Sequence, residues 1–258
     1  DLPSTVVMFD GSVYDTNNGE LLGRFADSVR ERNASRFEVL SSDGRFLARV
    51  SRRDEKAIEL FERDVDGPPR VISFEKYKQP TVRFLTFTAP DRLLAGLQVS
   101  PDFKAVAIRL PEGSPGSDFK VDHVGQRDIT VSADGKYLAV VSATKFEVYD
   151  IQKGERVAVM APSPNIQGLP FGMCGGVAFL PDSKEIAALI RGQHLIVWSQ
   201  RGKIVDEILI RMRLSSTREG RQSFAWLPDK SGWLIEGQLL GDRELRTPIA
   251  QIKSQLKD

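Results

Sequence analysis

Runs of alternating or continuously apolar residues recur along the chain, and each recurrence carries a turn with an aspartate. Alternation predicts half-buried strands, and apolar runs such as Tyr137–Val141 and Glu185–Ile190 predict strands covered on both faces. Five segments share the pattern: residues 37–44, 84–92, 128–135, 177–183 and 224–230. Their aspartates, Asp43, Asp91, Asp134, Asp182 and Asp229, are 48, 43, 48 and 47 residues apart, a period long enough for one small sheet per repeat.

The third repeat shows the complete unit. Residues 128–131, 137–142, 146–150 and 156–160 are predicted strands, and Ser-Ala-Asp-Gly at 132–135 supplies a tight turn. Four strands at 177–180, 185–190, 195–199 and 204–210 repeat this order. Because so small a sheet cannot cover its own apolar faces, successive sheets are expected to stack around an axis. The prediction is an all-β protein, a β-propeller of four-stranded antiparallel blades.

About six blades are visible in a single domain of residues 1–258, with approximate bounds 1–27, 28–80, 81–125, 126–172, 173–220 and 221–258. The first blade lacks its first strand, and the last, at 224–227, 233–238 and 244–252, lacks its outer strand. Two arrangements stay open: a ring of six blades, or part of a seven- or eight-bladed ring whose opening blade lies upstream. We favour an excerpt from a longer protein, because an incomplete first blade leaves an edge free to pair.

Three phrases resemble a known repeat family. Residues 13–20 (VYDTNNGE), 148–155 (VYDIQKGE) and 197–203 (VWSQRGK) are similar to the third-strand ending of WD40-like propeller repeats, in which an aromatic-aspartate pair precedes a turn with glycine. No Gly-His doublet opens a repeat, so the degenerate WD40-like repeats of bacterial proteins are the nearer likeness. The resemblance implies a non-catalytic scaffold that recognises a protein or peptide through its loop-rich face. The alternatives are a cofactor-binding or hydrolytic propeller enzyme and a structural domain of a larger multidomain protein.

Composition narrows the class of partner. The 36 basic and 35 acidic residues give a net charge of +1, so there is no general reason to expect nucleic acid. No stretch approaches the roughly 18 apolar residues of a membrane span, so no membrane insertion is expected. One cysteine and two histidines exclude an internal disulfide and a multi-histidine metal site, and no cofactor motif is found. Cytoplasmic and periplasmic locations both remain open.

Arginines recur at the start of the innermost strands. Arg36, Arg83 and Arg127 occupy equivalent positions, and Arg221 falls one residue off. Because innermost strands line the axis of a propeller, these guanidinium groups are expected at one mouth of its channel, and the pattern predicts a basic face for an acidic peptide or another anion. The alternative is that each arginine caps a strand end and pairs locally. Loops on that side add more cations: Arg24, Arg30, Arg32, Arg52, Arg53, Lys56, Lys76, Lys78, Arg191, Arg211, Arg213 and Arg218.

Cys174 lies in the glycine-rich segment 169–176, predicted to be the loop that enters the fifth blade. It is a binding candidate because glycines let a backbone approach a partner, although a packed thiol is favoured over a nucleophile since no histidine is near in sequence. Proline and glycine at 111–118 predict an exposed turn. Asp43, Asp134 and Asp182 are predicted to form turns. Trp198, Trp226 and Trp233 are predicted to pack between blades.

Overall fold

The computed structural model describes residues 5–7, 11–15, 18–25, 38–51, 54–121, 128–142, 145–160, 174–180, 182, 184–190, 194–209, 224–226, 233–235 and 238–239. Every helix or strand found among them is a β-strand, so the prediction of an all-β protein is confirmed. The chain divides into two compact units, Asp1–Val124 and Gly125–Asp258. Each is a series of small antiparallel sheets.

The first unit contains three sheets, numbered here in chain order. Sheet 1 consists of β1 (Thr5–Val7), β2 (Ser12–Asp15) and β3 (Leu21–Arg24). Sheet 2 consists of β4 (Glu38–Leu40), β5 (Phe46–Val50), β6 (Ala57–Glu62) and β7 (Arg70–Ser73). Sheet 3 consists of β8 (Thr81–Ala89), β9 (Arg92–Val99), β10 (Asp102–Arg109) and β11 (Ser114–Val121).

The second unit contains the remaining three sheets. Sheet 4 consists of β12 (Asp128–Val131), β13 (Tyr137–Val141), β14 (Phe146–Asp150) and β15 (Glu155–Val159). Sheet 5 consists of β16 (Cys174–Phe179), β17 (Glu185–Ile190), β18 (His194–Ser199) and β19 (Ile204–Leu209). Sheet 6 consists of β20 (Phe224–Trp226), β21 (Trp233–Ile235) and β22 (Gln238–Leu239).

Each sheet is a meander, with strands paired in the order in which they follow along the chain. This confirms the four-strand unit predicted from sequence, to within one residue at each strand boundary of sheet 4. Two predicted boundaries are wrong. Strand β11 begins at Ser114, inside the segment expected to form an exposed turn, because Pro115 is accommodated at an irregularity opposite Ile108. Strand β16 begins at Cys174, inside the expected entry loop.

The predicted ends of the chain are described in part. Sheets 1 and 6 have three strands each within the described residues, as expected for the first blade, whereas the third strand of sheet 6 is not the one that the sequence predicts. Strand β22 follows β21 directly at Gln238, whereas the sequence predicts one strand over 233–238. The further strand expected at 244–252 lies outside the described residues.

Apolar faces of neighbouring sheets pack together inside each unit. Sheets 1 and 2 share a cluster that includes Val13, Leu47 and Phe61. In the second unit, Trp198 of sheet 5 is fully buried, and its ring meets that of Phe146 in sheet 4 edge to face, with centroids 5.3 Å apart. Burying one such side chain contributes about 2–3 kcal/mol. The packing role predicted for Trp198 is therefore confirmed, and the side chains of Trp226 and Trp233 lie outside the described residues.

The same contact joins consecutive sheets three times. In each case the outer strand of one sheet meets the turn between the third and fourth strands of the next. At Asp64, the N–H donates to Arg24 O and the carboxylate accepts from Arg24 N, both over 2.9 Å. Arg70 of β7 donates to Pro111 O, and a Cβ added to Gly202 would lie 2.6 Å from Val159 O of β15. At these three junctions, neighbouring sheets therefore meet at the same position of the repeat.

Candidate functional site

Five cations lie at one end of sheets 2 and 3. Strands β5 and β7 run in the same direction, so the β5–β6 and β7–β8 links leave sheet 2 at the same end. Glu55 O in the first link accepts a hydrogen bond from Val82 N at the start of β8, over 3.0 Å, which places the link beside sheet 3. We call this end the lysine surface and define it by Lys56, Lys76, Lys78, Arg83 and Lys104.

Arg83 owes its place to an irregularity in strand pairing. Val82 pairs with Leu97 and Phe84 with Gly96, so Arg83 is an extra residue on β8. A bulge of this kind bends the strand and redirects a side chain. Arg83 is exposed as a result, at the edge strand of sheet 3.

The outer part of the surface is a four-residue cluster of Lys76, Tyr77, Lys104 and Asp118. The Tyr77 hydroxyl donates to Asp118 Oδ2, while Lys104 Nζ lies 3.4 Å from Oδ1 and Lys76 Nζ lies 3.7 Å from Oδ2. Lys76 Nζ also lies 4.9 Å from the centre of the Tyr77 ring, and Lys104 Nζ lies 5.4 Å from it. Such cation–π contacts help to hold both lysines beside a ring that is only 8% exposed.

The charges of this cluster are fixed near neutral pH. The hydrogen bond from Tyr77, opposed by burial and supported by Lys104 and Lys76, lowers the pKa of Asp118. Burial, followed by the hydrogen bond to Asp118 and its negative charge, raises the pKa of Tyr77. The carboxylate is therefore ionised and the phenol neutral, so two ammonium groups share one negative charge.

The other three cations have no such partner. Within the described part of the chain, the side chains of Lys56, Lys78 and Arg83 are exposed and form no ion pair. Acidic neighbours are present in the same links: Asp54 accepts from Lys56 N over 3.0 Å, and Glu75 accepts from Ser73 Oγ over 3.4 Å. The surface therefore combines unpaired cations with two carboxylates that accept local hydrogen bonds and with the exposed carboxylate of Glu55, which forms no ion pair within the described residues.

The structure places two of the five predicted site residues. Arg83 belongs to the lysine surface, and Cys174 is the first residue of β16, paired in register with Ile190. The Cys174 side chain lies outside the described residues, as do Arg36, Arg127 and Arg221, so their convergence at a channel mouth stays a prediction. Arg24, one of the cations assigned to this face, instead donates to Ser12 Oγ and holds the contact with Asp64.

Sequence reasoning missed Lys104 and Asp118 and gave Tyr77 no role. These residues come from two strands and a link, and Tyr77 is 41 positions from Asp118. A usable signal was the sequence Lys76-Tyr77-Lys78, an aromatic residue between two lysines in a predicted link. The partner carboxylate could not be identified without the pairing of β10 with β11.

Two further carboxylates lie in third strands at equivalent positions of their repeats, and Glu59 is half-buried while Glu147 is buried. Glu59 accepts from Arg49 Nε over 2.8 Å and from Ser51 Oγ over 2.9 Å. Glu147, only 1% exposed, accepts from Tyr149 Oη over 3.0 Å and from Arg156 Nη1 over 2.7 Å. Because a buried charge that loses its partner is costly, these pairs fix the third strand to its neighbours.

Among the residues that the structure describes, His, Cys, Asp and Glu form no group of three that could hold a metal ion. The described segments also contain no helix with the length and hydropathy needed to cross a membrane. Comparison of the chain with protein-family models and with curated proteins finds no match in either set.

Proposed function

We propose that this chain is a non-catalytic β-propeller of the WD40-like type that binds an acidic peptide or protein segment at the lysine surface. The observation that carries the binding proposal is the set of unpaired, exposed cations Lys56, Lys78 and Arg83 at one end of stacked sheets. Exposed cations attract and orient acidic partners without the desolvation cost that a buried charge would carry.

The propeller component rests on features that recur from sheet to sheet. Within each unit, the outer strand of one sheet meets the turn between the third and fourth strands of the next, at three junctions in all. In three sheets, a register shift follows the valine of the WD40-like phrase, at Val13/Tyr14, Val148/Tyr149 and Val197/Trp198. The glycines of those phrases, Gly19, Gly154 and Gly202, each donate their N–H to the carbonyl of the residue that ends the preceding strand. Regular stacking of this kind favours radial repetition.

A binding measurement tests the function directly. A fluorescein-labelled, glutamate-rich peptide of about ten residues is titrated with the protein, with a glutamine-for-glutamate peptide as the reference. We expect binding of the acidic peptide alone, weakening as salt rises because exposed charges are screened within about 10 Å at 0.1 M. Equal binding of both peptides, or binding insensitive to salt, would contradict the proposal.

Charge-matched variants locate the site. Lys56→Glu, Lys78→Glu and Arg83→Glu together should weaken binding by about tenfold or more, since three charges are reversed and the net charge falls by six units. The control triple, Lys184→Glu, Arg201→Glu and Lys203→Glu, changes two lysines and one arginine that are also exposed and form no ion pair within the described residues. Equal losses from both triples would show a general charge effect and would remove the lysine surface from the function.

A further inference from the structure

Four of the five cations of the lysine surface form two groups. Lys56 and Arg83 lie beside the first strand of sheet 3, because Glu55 O bonds to Val82 N next to Arg83. Lys76 and Lys104 lie around Tyr77 beside the third and fourth strands. We call these the inner pair and the outer pair.

The distance between the pairs follows from the sheet. Val82 pairs with Leu97, and Leu97 pairs with Lys104, so Lys104 lies in the same cross-strand row as Val82, the residue that precedes Arg83. Two strand spacings of about 4.8 Å separate β8 from β10, which gives roughly 10 Å between their backbones. Lysine and arginine side chains can shorten or lengthen the distance between their charges by a few ångströms.

Two acidic side chains of an extended peptide can reach both pairs only when they are separated by certain numbers of residues. Side chains on the same face are two or four residues apart, at about 7 Å and 13 Å, whereas neighbours one or three apart point to opposite faces. We propose that the ligand of the lysine surface is an extended segment with two acidic side chains two or four residues apart, one on each pair. This inference rests on the proposed function and adds to it the spacing of acidic residues that the lysine surface recognises.

Asp118 gives the outer pair a second property. Its carboxylate already accepts from Tyr77 and faces both Lys76 and Lys104, so it occupies the position that an acidic side chain of the ligand would approach. Asp118→Asn keeps an acceptor oxygen for Tyr77 and removes the negative charge. The substitution should therefore strengthen the binding of acidic peptides, which misfolding could not do.

A peptide is favoured over single-stranded nucleic acid at this site. Binding of unpaired bases needs an exposed aromatic face for stacking, and Tyr77, the aromatic ring beside the outer pair, is 8% exposed and flanked by two ammonium groups.

The test uses fluorescein-labelled nonapeptides of Gly and Ser with two glutamates placed one, two, three or four residues apart, so that charge and length are constant. At low salt we expect the peptides with spacings of two and four to bind several-fold more tightly than those with one and three. Asp118→Asn should tighten binding of the favoured peptides about threefold to tenfold, because one negative charge near two cations is removed. Arg45→Gln, at an exposed arginine that pairs with Glu62 at the opposite end of sheet 2, is the control and should change little.

The outcomes separate the two proposals. If all four spacings bind equally and Asp118→Asn has no effect, while the Lys56, Lys78 and Arg83 triple variant still weakens binding, the pattern inference is wrong and the proposed function stands. If no acidic peptide binds, the proposed function itself is wrong. Tighter binding of an oligothymidine of equal charge than of any peptide would overturn the choice of a peptide ligand.

Discussion

Single turn residues repeat their contacts from one sheet to another. The Ser41 hydroxyl donates to Asp43 Oδ1 over 2.6 Å, and the Ser132 hydroxyl donates to Asp134 Oδ1 over 2.7 Å. Each aspartate also accepts from the N–H two residues later, and each serine oxygen accepts from the N–H five residues later. Asp182 makes the corresponding bond to Lys184 N over 3.0 Å. The turn role predicted for these three aspartates is therefore confirmed, because local hydrogen bonds depend mainly on local sequence.

Asp134→Ala tests the energetic value of this turn. The variant loses bonds from Ser132 and Lys136, and we expect a loss of about 1 kcal/mol in the free energy of unfolding at pH 7. Burial opposes ionisation of Asp134, but the bonds from Ser132 and Lys136 and the charge of Lys136 outweigh it and lower its pKa. Since the folded state binds this proton less tightly than the unfolded state, the stabilisation is present above pH 3.8 and disappears as pH falls through the folded value.

Denaturant unfolding at pH 7 and near pH 3 measures both effects of Asp134→Ala. Glu155→Gln, at an exposed carboxylate of the same sheet, is the matched control and should change stability by less than about 0.5 kcal/mol. A loss from Asp134→Ala that is equal at both pH values would contradict the ionised acceptor.

At the scale of elements, strand order was predictable and strand limits were less so. Tyr137–Val141 and Glu185–Ile190 were placed as the structure has them, because apolar runs between turn residues leave few alternatives. The strand Ser114–Val121 was not predicted. Its hydrogen bonds with the neighbouring strand β10 override the local preference of Pro115 and Gly116 for a turn. The positive charge of the lysine surface could be predicted from sequence, but not all of its residues could. Lys104 and Asp118 are brought together there by the pairing of β10 with β11.

Two glycines in equivalent turns allow a test of sheet stacking. Gly19 and Gly202 both have positive φ, at 72° and 84°, so alanine strains the backbone at either position by about 1 kcal/mol. The space around the two glycines differs. A Cβ added at Gly19 would meet nothing within 4 Å, whereas one added at Gly202 would lie 2.6 Å from Val159 O of the preceding sheet. Gly202→Ala should therefore cost about 1–3 kcal/mol more than Gly19→Ala in the free energy of unfolding.

Chemical denaturation of the two glycine variants gives the comparison, with Gly19→Ala serving as the control for backbone strain. Equal losses would show that sheets 4 and 5 do not meet at this turn as the structure has them.

At the scale of the whole molecule, the propeller proposal makes both units parts of one cooperative structure, and the distribution of tryptophan makes this measurable. Trp198, Trp226 and Trp233 all lie in the second unit, so tryptophan fluorescence reports on that unit alone. A destabilising change confined to the first unit is available at Gly96, which pairs with Phe84. A Cβ there would overlap the Phe84 ring and lie 2.8 Å from Phe103 Cζ. Overpacking of this kind costs about 1–3 kcal/mol.

Gly96→Ala should therefore shift the fluorescence-detected unfolding transition, although no tryptophan lies in the altered unit. A ring in which each sheet is covered by its neighbours transmits the loss of one sheet to the rest, and a single cooperative transition follows. We expect the midpoint in urea seen by tryptophan fluorescence to fall together with that seen by far-ultraviolet circular dichroism, which follows strands in both units. A lowered circular dichroism midpoint with an unchanged fluorescence midpoint would mean that the units unfold separately, and the proposal of one propeller would fail.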